Sequence, residues 1–169
     1  MYVDDEEDNL IVFKSAFRRD FNVLTTTSPD EALEIVGREE VPVIISDQRM
    51  PHCTGVELFG KMPEESGIVR IILTGFSDVE VIIKAINHCS IYRYLTKPWD
   101  QAELKHTLDM AVEKFYLHKH NTELVLDLQA ANEHLEEKVK VRTLELEEEK
   151  EKSERLLLNV LPGEIADEL

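Results

Sequence analysis

Four short apolar runs punctuate the first hundred positions of the chain, at Phe21 to Thr25, Val41 to Ser46, Ile68 to Thr74 and Ile91 to Leu95. Each is continuous rather than alternating, which suits parallel strands covered on both faces. Between them the apolar period changes. Leu10, Phe13 and Phe17 fall at i, i+3 and i+7, and Val79, Ile82 and Ile86 repeat the stripe. Ser28-Pro29-Asp30-Glu31 supplies an N-cap, a proline at the first helical position and an acidic first turn. With Tyr2-Val3 as a further strand, the pattern predicts five β-α units within about 100 residues, an α/β fold with a doubly wound parallel sheet. A strand of two residues is short against the usual ~5 to 6, so residues upstream of Met1 are expected.

Beyond Trp99 the pattern is of another kind. No Pro or Gly occurs between Pro98 and Pro162, which permits one helix of roughly 90 Å at 1.5 Å per residue. With Val125 at heptad position a, the a and d seam reads Val125, Leu128, Asn132, Leu135, Val139, Arg142, Leu146, Glu149, Ser153, Leu156 and Val160. Seven of these eleven are aliphatic, the register weakens around Glu149 and Ser153, and Asn132 at an a position is the kind of polar residue that selects a parallel, in-register dimer. A parallel coiled-coil homodimer is therefore expected, the alternative being a solvated single or antiparallel helix. Pro162-Gly163 ends the pattern, and Glu164 to Leu169 begins another helix too short to stand alone, so Leu169 reads as a cut.

Composition narrows the function. With 35 acidic against 19 basic side chains in 169 residues, the formal net charge is −16. Such a surface repels phosphate backbones and anionic lipid, so nucleic-acid and membrane-surface roles are disfavoured. No apolar tract reaches the ~18 residues needed to span a bilayer, and no basic leader precedes an apolar run. Cys53 and Cys89 are too few for a disulfide framework, which fits a cytoplasmic protein. His52, Cys53, His118 and His120 complete no metal-ligand spacing. The Glu-rich run from Glu145 is the solvated flank of a helix.

In an open parallel sheet, ligands bind beyond the carboxyl ends of the strands. Those ends carry Asp4 and Asp5, then Asp47, then Thr74, then Lys97. Each alone is an ordinary turn residue. Falling at consecutive strand ends, they gather three carboxylates, a hydroxyl and an ammonium at one edge. Three close carboxylates repel unless a cation joins them, and hard oxygen donors suit Mg²⁺. Asp47 at the centre could then act as a nucleophile towards a phosphoryl group, with the metal, Lys97 and Thr74 stabilising its oxygens.

These residues, in this order, resemble the receiver domain of two-component response regulators. The matching segments are Val3-Asp4-Asp5-Glu6, Ile44 to Pro51 followed by Gly55, Leu73-Thr74-Gly75, and Tyr94-Leu95-Thr96-Lys97-Pro98. The resemblance implies a flavodoxin-like five-stranded sheet of order 2-1-3-4-5. It implies that Asp47 is the phosphoacceptor and that Asp4, Asp5, Asp47 and the main-chain carbonyl of Arg49 hold Mg²⁺. It also implies that Thr74 and Lys97 read the phosphoryl group, that Tyr94 swings inward as Thr74 moves, and that Lys97-Pro98 is cis. The phosphodonor would be a histidine kinase. Arg49 and Phe76, each two residues beyond a site residue, predict slow self-dephosphorylation. A free-standing Mg²⁺ phosphohydrolase is disfavoured because Arg49 stands where those enzymes need a second carboxylate.

By the same comparison the chain divides into a receiver at 1–118, a signalling helix at 119–161 and a connector at 162–169. Leu135 to Leu146 resembles the helices that join sensor and output domains. Ser153 to Leu169 looks like the connector that precedes class III adenylate and guanylate cyclase catalytic domains, which implies a cyclase output in cis. The competing outputs are a metal-dependent phosphatase and a cyclic-dinucleotide phosphodiesterase. The fragment itself is not expected to be an enzyme beyond phosphotransfer at Asp47.

Overall fold

The computed structural model describes residues 1–63, 67–75 and 91–160, the last three by backbone alone. Phe76, the predicted stripe of Val79, Ile82 and Ile86, Cys89 and the connector at 162–169 lie outside the described residues, as does the side chain of Val160. Two units are distinguished, Met1–His120 and Asn121–Leu169.

The first unit is built on five parallel strands, β1 (Tyr2–Val3), β2 (Thr25–Thr26), β3 (Val43–Asp47), β4 (Val69–Thr74) and β5 (Ile91–Thr96), in the order β2-β1-β3-β4-β5. The expected flavodoxin-like order is the observed one. Alternation along the strands sorts side chains onto two faces. Tyr2, Ile45, Ile71 and Leu73 pack with Phe13 and Phe17 of helix α1 (Glu7–Phe17) and with Leu104, Leu108 and Phe115. Val3, Ile44 and Ile72 pack on the other face with Ala32 of α2 (Pro29–Arg38) and with Leu58 and Phe59 of α3 (Gly55–Gly60).

Local signals set the element ends. The Ser28 hydroxyl accepts from the Glu31 amide ahead of Pro29, as the sequence predicts. Thr54 and Glu57 form a reciprocal capping box that starts α3. Strand β2 is shorter than the predicted Phe21 to Thr25, because β1 offers only Tyr2 and Val3 for it to pair with. Phe21 and Val23 instead pack against the α1-side core from an irregular segment. Strand β3 begins after Pro42, which has no N–H to give the ladder.

The last helix, α4, runs Gln101–Val160. Within the first unit it buries Leu104, Leu108, Ala111 and Phe115 at helical spacing. Within the second unit every described side chain from Asn121 to Leu157 is exposed, the proposed seam residues Val125, Leu128, Asn132, Leu135, Val139 and Leu146 among them. Ion pairs between Arg142 and Glu145 and between Lys150 and Glu154 lie along its surface. No helix among the described residues is long and apolar enough to cross a membrane.

Two glycines give opposite expectations. A methyl group on Gly55 would stand 2.5 Å from the Asp47 carbonyl oxygen and 2.8 Å from Ile72 Cδ1, whereas nothing lies within 4 Å of one on Gly37. Gly55→Ala should therefore cost about 1–3 kcal/mol through forced backbone movement, and Gly37→Ala, inside α2, should gain about 0.5–1 kcal/mol. Urea midpoints of the two variants should move in opposite directions.

Candidate functional site at the carboxyl edge of the sheet

Strand register brings the ends of β1, β3, β4 and β5 to one edge. Asp4 follows β1, Asp47 closes β3, Thr74 closes β4, and Lys97 lies one residue past β5. The Lys97 main-chain N–H donates to the Thr74 carbonyl at 2.8 Å, which fixes the lysine backbone beside β4. From there its ammonium reaches both Asp4 Oδ2, at 2.8 Å, and Asp47 Oδ1. The Lys97-Pro98 peptide is cis.

The two carboxylates are held differently. Asp4 is almost fully buried and is met by four donors. The Tyr2 hydroxyl and the Lys97 ammonium bond to Oδ2, and the Glu6 amide and the Asn9 side-chain amide bond to Oδ1, each at 3.0 Å. Burial alone would raise its pKa, but these bonds outweigh it and hold the carboxyl below its ordinary value. Asp47 has the Lys97 ammonium on Oδ1 and the Arg49 amide on Oδ2 at 2.5 Å. Burial outweighs those two contacts and, with Asp4 nearby, leaves Asp47 above the ordinary carboxylate value. Lys97 shifts upward, since its two carboxylate partners more than offset its own desolvation.

Thr74 is buried, and its hydroxyl donates to the Gly75 carbonyl at 3.1 Å. Asp5 and Arg49 are exposed, the latter in the turn after Asp47. Tyr94 is half-buried and packs against the buried cluster on the α2-α3 face of the sheet. Of the predicted site residues, the structure joins Asp4, Asp47 and Lys97 directly and ties Thr74 to them through the backbone. The sequence reading missed Tyr2 and Asn9 as partners of Asp4. Their signal was the spacing, since Tyr2 shares a strand face with Asp4 and Asn9 lies in the first turn of α1.

Among the described residues no group of three or more His, Cys, Asp or Glu side chains converges on a metal-sized point. Two carboxylates nevertheless face one shared cation, the Lys97 ammonium. The edge therefore already contains a locus built for positive charge between hard oxygens, and the donor chemistry fits Mg²⁺.

Comparison with known proteins places this geometry. Residues 1–109 match the response regulator receiver domain family. The hydrogenase transcriptional regulatory protein HoxA of Cupriavidus necator is 41% identical over 114 residues, 67% of this chain and 24% of that protein. Its namesake in Bradyrhizobium diazoefficiens is 34% identical over 143 residues, 84% of this chain and 30% of that protein. The chain thus spans 24% to 30% of the length of these relatives. Among solved structures, an adenylate cyclase from Rhodopirellula baltica superposes with a TM-score of 0.69 at 30% identity, covering 73% of this chain and 93% of that one. The signal receiver domain of an HD domain-containing protein from Pseudomonas fluorescens gives 0.64 at 32% identity, covering 68% of this chain and 94% of that one.

The opposite shifts of the two carboxylates make opposite predictions for stability. A lowered folded pKa means that ionised Asp4 contributes stability above the carboxylate range, lost as pH falls through its folded value. A raised one means that ionised Asp47 costs stability at neutral pH. In metal-free buffer at pH 7, Asp47→Asn should raise the urea midpoint and Asp4→Asn should lower it, each by an amount on the order of 1 kcal/mol. The gain from Asp47→Asn should shrink as pH drops through the carboxylate range; a gain independent of pH would contradict the assignment.

Proposed function

Because the chain belongs to the response regulator receiver domain family, we propose that Asp47 is its phosphoacceptor and that a histidine kinase is the donor. The observation that carries this reading is the bridge from Lys97 to Asp4 and Asp47, which presents a buried carboxylate beside a fixed ammonium at the open edge of the sheet. An Asp47 oxygen attacks phosphorus, the N–P bond of the phosphohistidine breaks, and the imidazole leaves with its electron pair to take up a proton. The ammonium of Lys97 then has a phosphoryl oxygen to pair with in place of a carboxylate. The Thr74 hydroxyl, which donates to the Gly75 carbonyl at 3.1 Å, turns to donate to another, and Tyr94 follows it inward.

Asp4, Asp5, Asp47 and the main-chain carbonyl of Arg49 would hold Mg²⁺. Bound there, the metal neutralises charge on the phosphoryl oxygens and the carboxylates. The four donors on Asp4 keep it ionised and oriented for that role.

The second unit is read as a parallel dimer through Val125, Leu128, Asn132, Leu135, Val139, Leu146, Leu156 and Val160. Exposure of the described aliphatic members supports it, with Val125 at 53%, Leu128 at 63% and Val139 at 64%. Large apolar side chains repeated every three to four residues on one exposed helix call for a partner. The domains are read as a receiver at 1–118, the coil at 119–161 and a connector at 162–169. The output in cis is read as a nucleotide cyclase, supported by the connector-like sequence and by the Rhodopirellula adenylate cyclase among the structural neighbours. A phosphatase or cyclic-dinucleotide phosphodiesterase output is the second reading, favoured by the HD domain-containing neighbour. A reducing, cytoplasmic setting fits the soluble receiver and its free, buried Cys53.

Acetyl phosphate with Mg²⁺ should label the chain at one site. Asp47→Asn or chelation should reduce labelling to background, and label retained in the variant would refute the phosphoacceptor. Sedimentation equilibrium of the 169-residue chain should return twice the chain mass, and Leu135→Asp together with Val139→Asp should return the monomer. A monomer at high micromolar concentration before substitution would sink the coil reading.

A further inference from the structure

Gln48 follows Asp47 directly and is only 4% exposed, yet among the described residues its side-chain oxygen has no hydrogen-bond partner. A buried acceptor left unmade costs free energy, and the Gln48 backbone is fixed on both sides. Its amide donates to the Leu73 carbonyl at 3.0 Å and its carbonyl accepts from the Gly55 amide at 3.2 Å. The backbone is thus tied to β4 on one side and to the start of α3 on the other.

A matching donor lies on the same face of the sheet. The bond from Gln48 to Leu73 carries the β3-β4 ladder one residue past Asp47. Period-two alternation then puts Gln48 on the face of Ile44 and Ser46, cross-strand from Thr74. Tyr94 pairs in register with Ile72 and packs on that same face. Among the described residues no hydrogen bond engages its hydroxyl. Tyr94 is therefore a phenol without a partner two strands from a buried acceptor without one. Strand β4 lies between them, with Ile72 in register with Tyr94 and Thr74 one step beyond the Asp47–Leu73 pair.

We propose that Gln48 is a positioning residue of the phosphorylation switch, its side-chain oxygen accepting the Tyr94 hydroxyl once Thr74 has turned to the phosphoryl group. This rests on the reading of Asp47 as phosphoacceptor and of Tyr94 as the moving aromatic. The unmade bond of the resting state becomes a made bond of the switched state, which adds a bias towards switching that is independent of the phosphoryl contacts.

The test uses the full chain with 3-fluorotyrosine in place of tyrosine, the Tyr94 fluorine signal being the one that Tyr94→Phe removes. Acetyl phosphate and Mg²⁺ should shift that signal in the unsubstituted chain. Gln48→Met keeps length and removes the acceptor. At equal labelling of Asp47, its switched fraction should fall about tenfold relative to the unshifted one, a change equivalent to about 1.4 kcal/mol. Its resting-state urea midpoint should stay the same or rise, which loss of a merely structural contact would not produce. An unchanged switched fraction overturns the proposal. So does failure of both Gln48→Met and Gln48→Leu to fold, since Gln48 would then serve the resting state. Absence of label in the unsubstituted chain instead overturns the phosphoacceptor reading and is distinguished by that control.

Discussion

One ammonium holds the carboxyl edge of this sheet together. Lys97 and Asp4 are 93 residues apart in sequence, and Asp47 lies between them in the fold as in the chain. Two like unit charges about 4 Å apart interact by about 4 kcal/mol at the effective dielectric of a protein surface. Two carboxylates at a half-buried edge are therefore unfavourable without a cation, and strand order alone would not keep them close. The Lys97 backbone bond to Thr74 decides where that cation stands. Register, cation and carboxylates are one constraint, and the rest of the first unit is arranged so that β1, β3, β4 and β5 end level with one another.

Within that constraint the two aspartates are not equivalent. Asp4 meets four donors and is held below its ordinary pKa, while Asp47 meets two and is held above it. A carboxylate saturated with hydrogen bonds is a poor nucleophile and a well-oriented charge. One buried with fewer bonds is less stabilised as an anion, and therefore closer in energy to forming a covalent bond. Tyr2 and Asn9 thus matter to Asp47 indirectly, because they make Asp4 the fixed charge of the pair.

Much of this is legible in the sequence. The carboxylates, the threonine and the lysine sit at strand ends, and strand ends are readable because Ile- and Val-rich runs stop abruptly there. The covered faces followed from the same runs, and the strand order from the resemblance to receiver domains. What escaped notice depended on long-range geometry. The length of β2 was set by its partner β1 rather than by its own apolar residues, so Phe21 and Val23 read as strand although they serve as core. Tyr2 read as a strand apolar, and its hydroxyl on Asp4 is visible only once the strand's side is known. Gln48 carried no signal at all, since its significance is an acceptor left without a donor, and a missing bond has no sequence pattern.

The long helix poses a different physical problem from the sheet. As far as Phe115 its Leu104, Leu108, Ala111 and Phe115 side chains are paired with core, while Met110 stays exposed. From Asn121 its aliphatic residues face solvent, and ion pairs such as that of Arg142 with Glu145 are exposed on both sides. Exposed pairs of this kind contribute only about 0.2–0.5 kcal/mol each, whereas covering one Leu or Val side chain is worth about 1.5–3 kcal/mol. Helix stability in this region is consequently governed less by its charges than by whatever covers the stripe of Leu128, Leu135 and Val139. The polar interruptions at Asn132 and Arg142 lower the gain from covering it and raise its selectivity for one register.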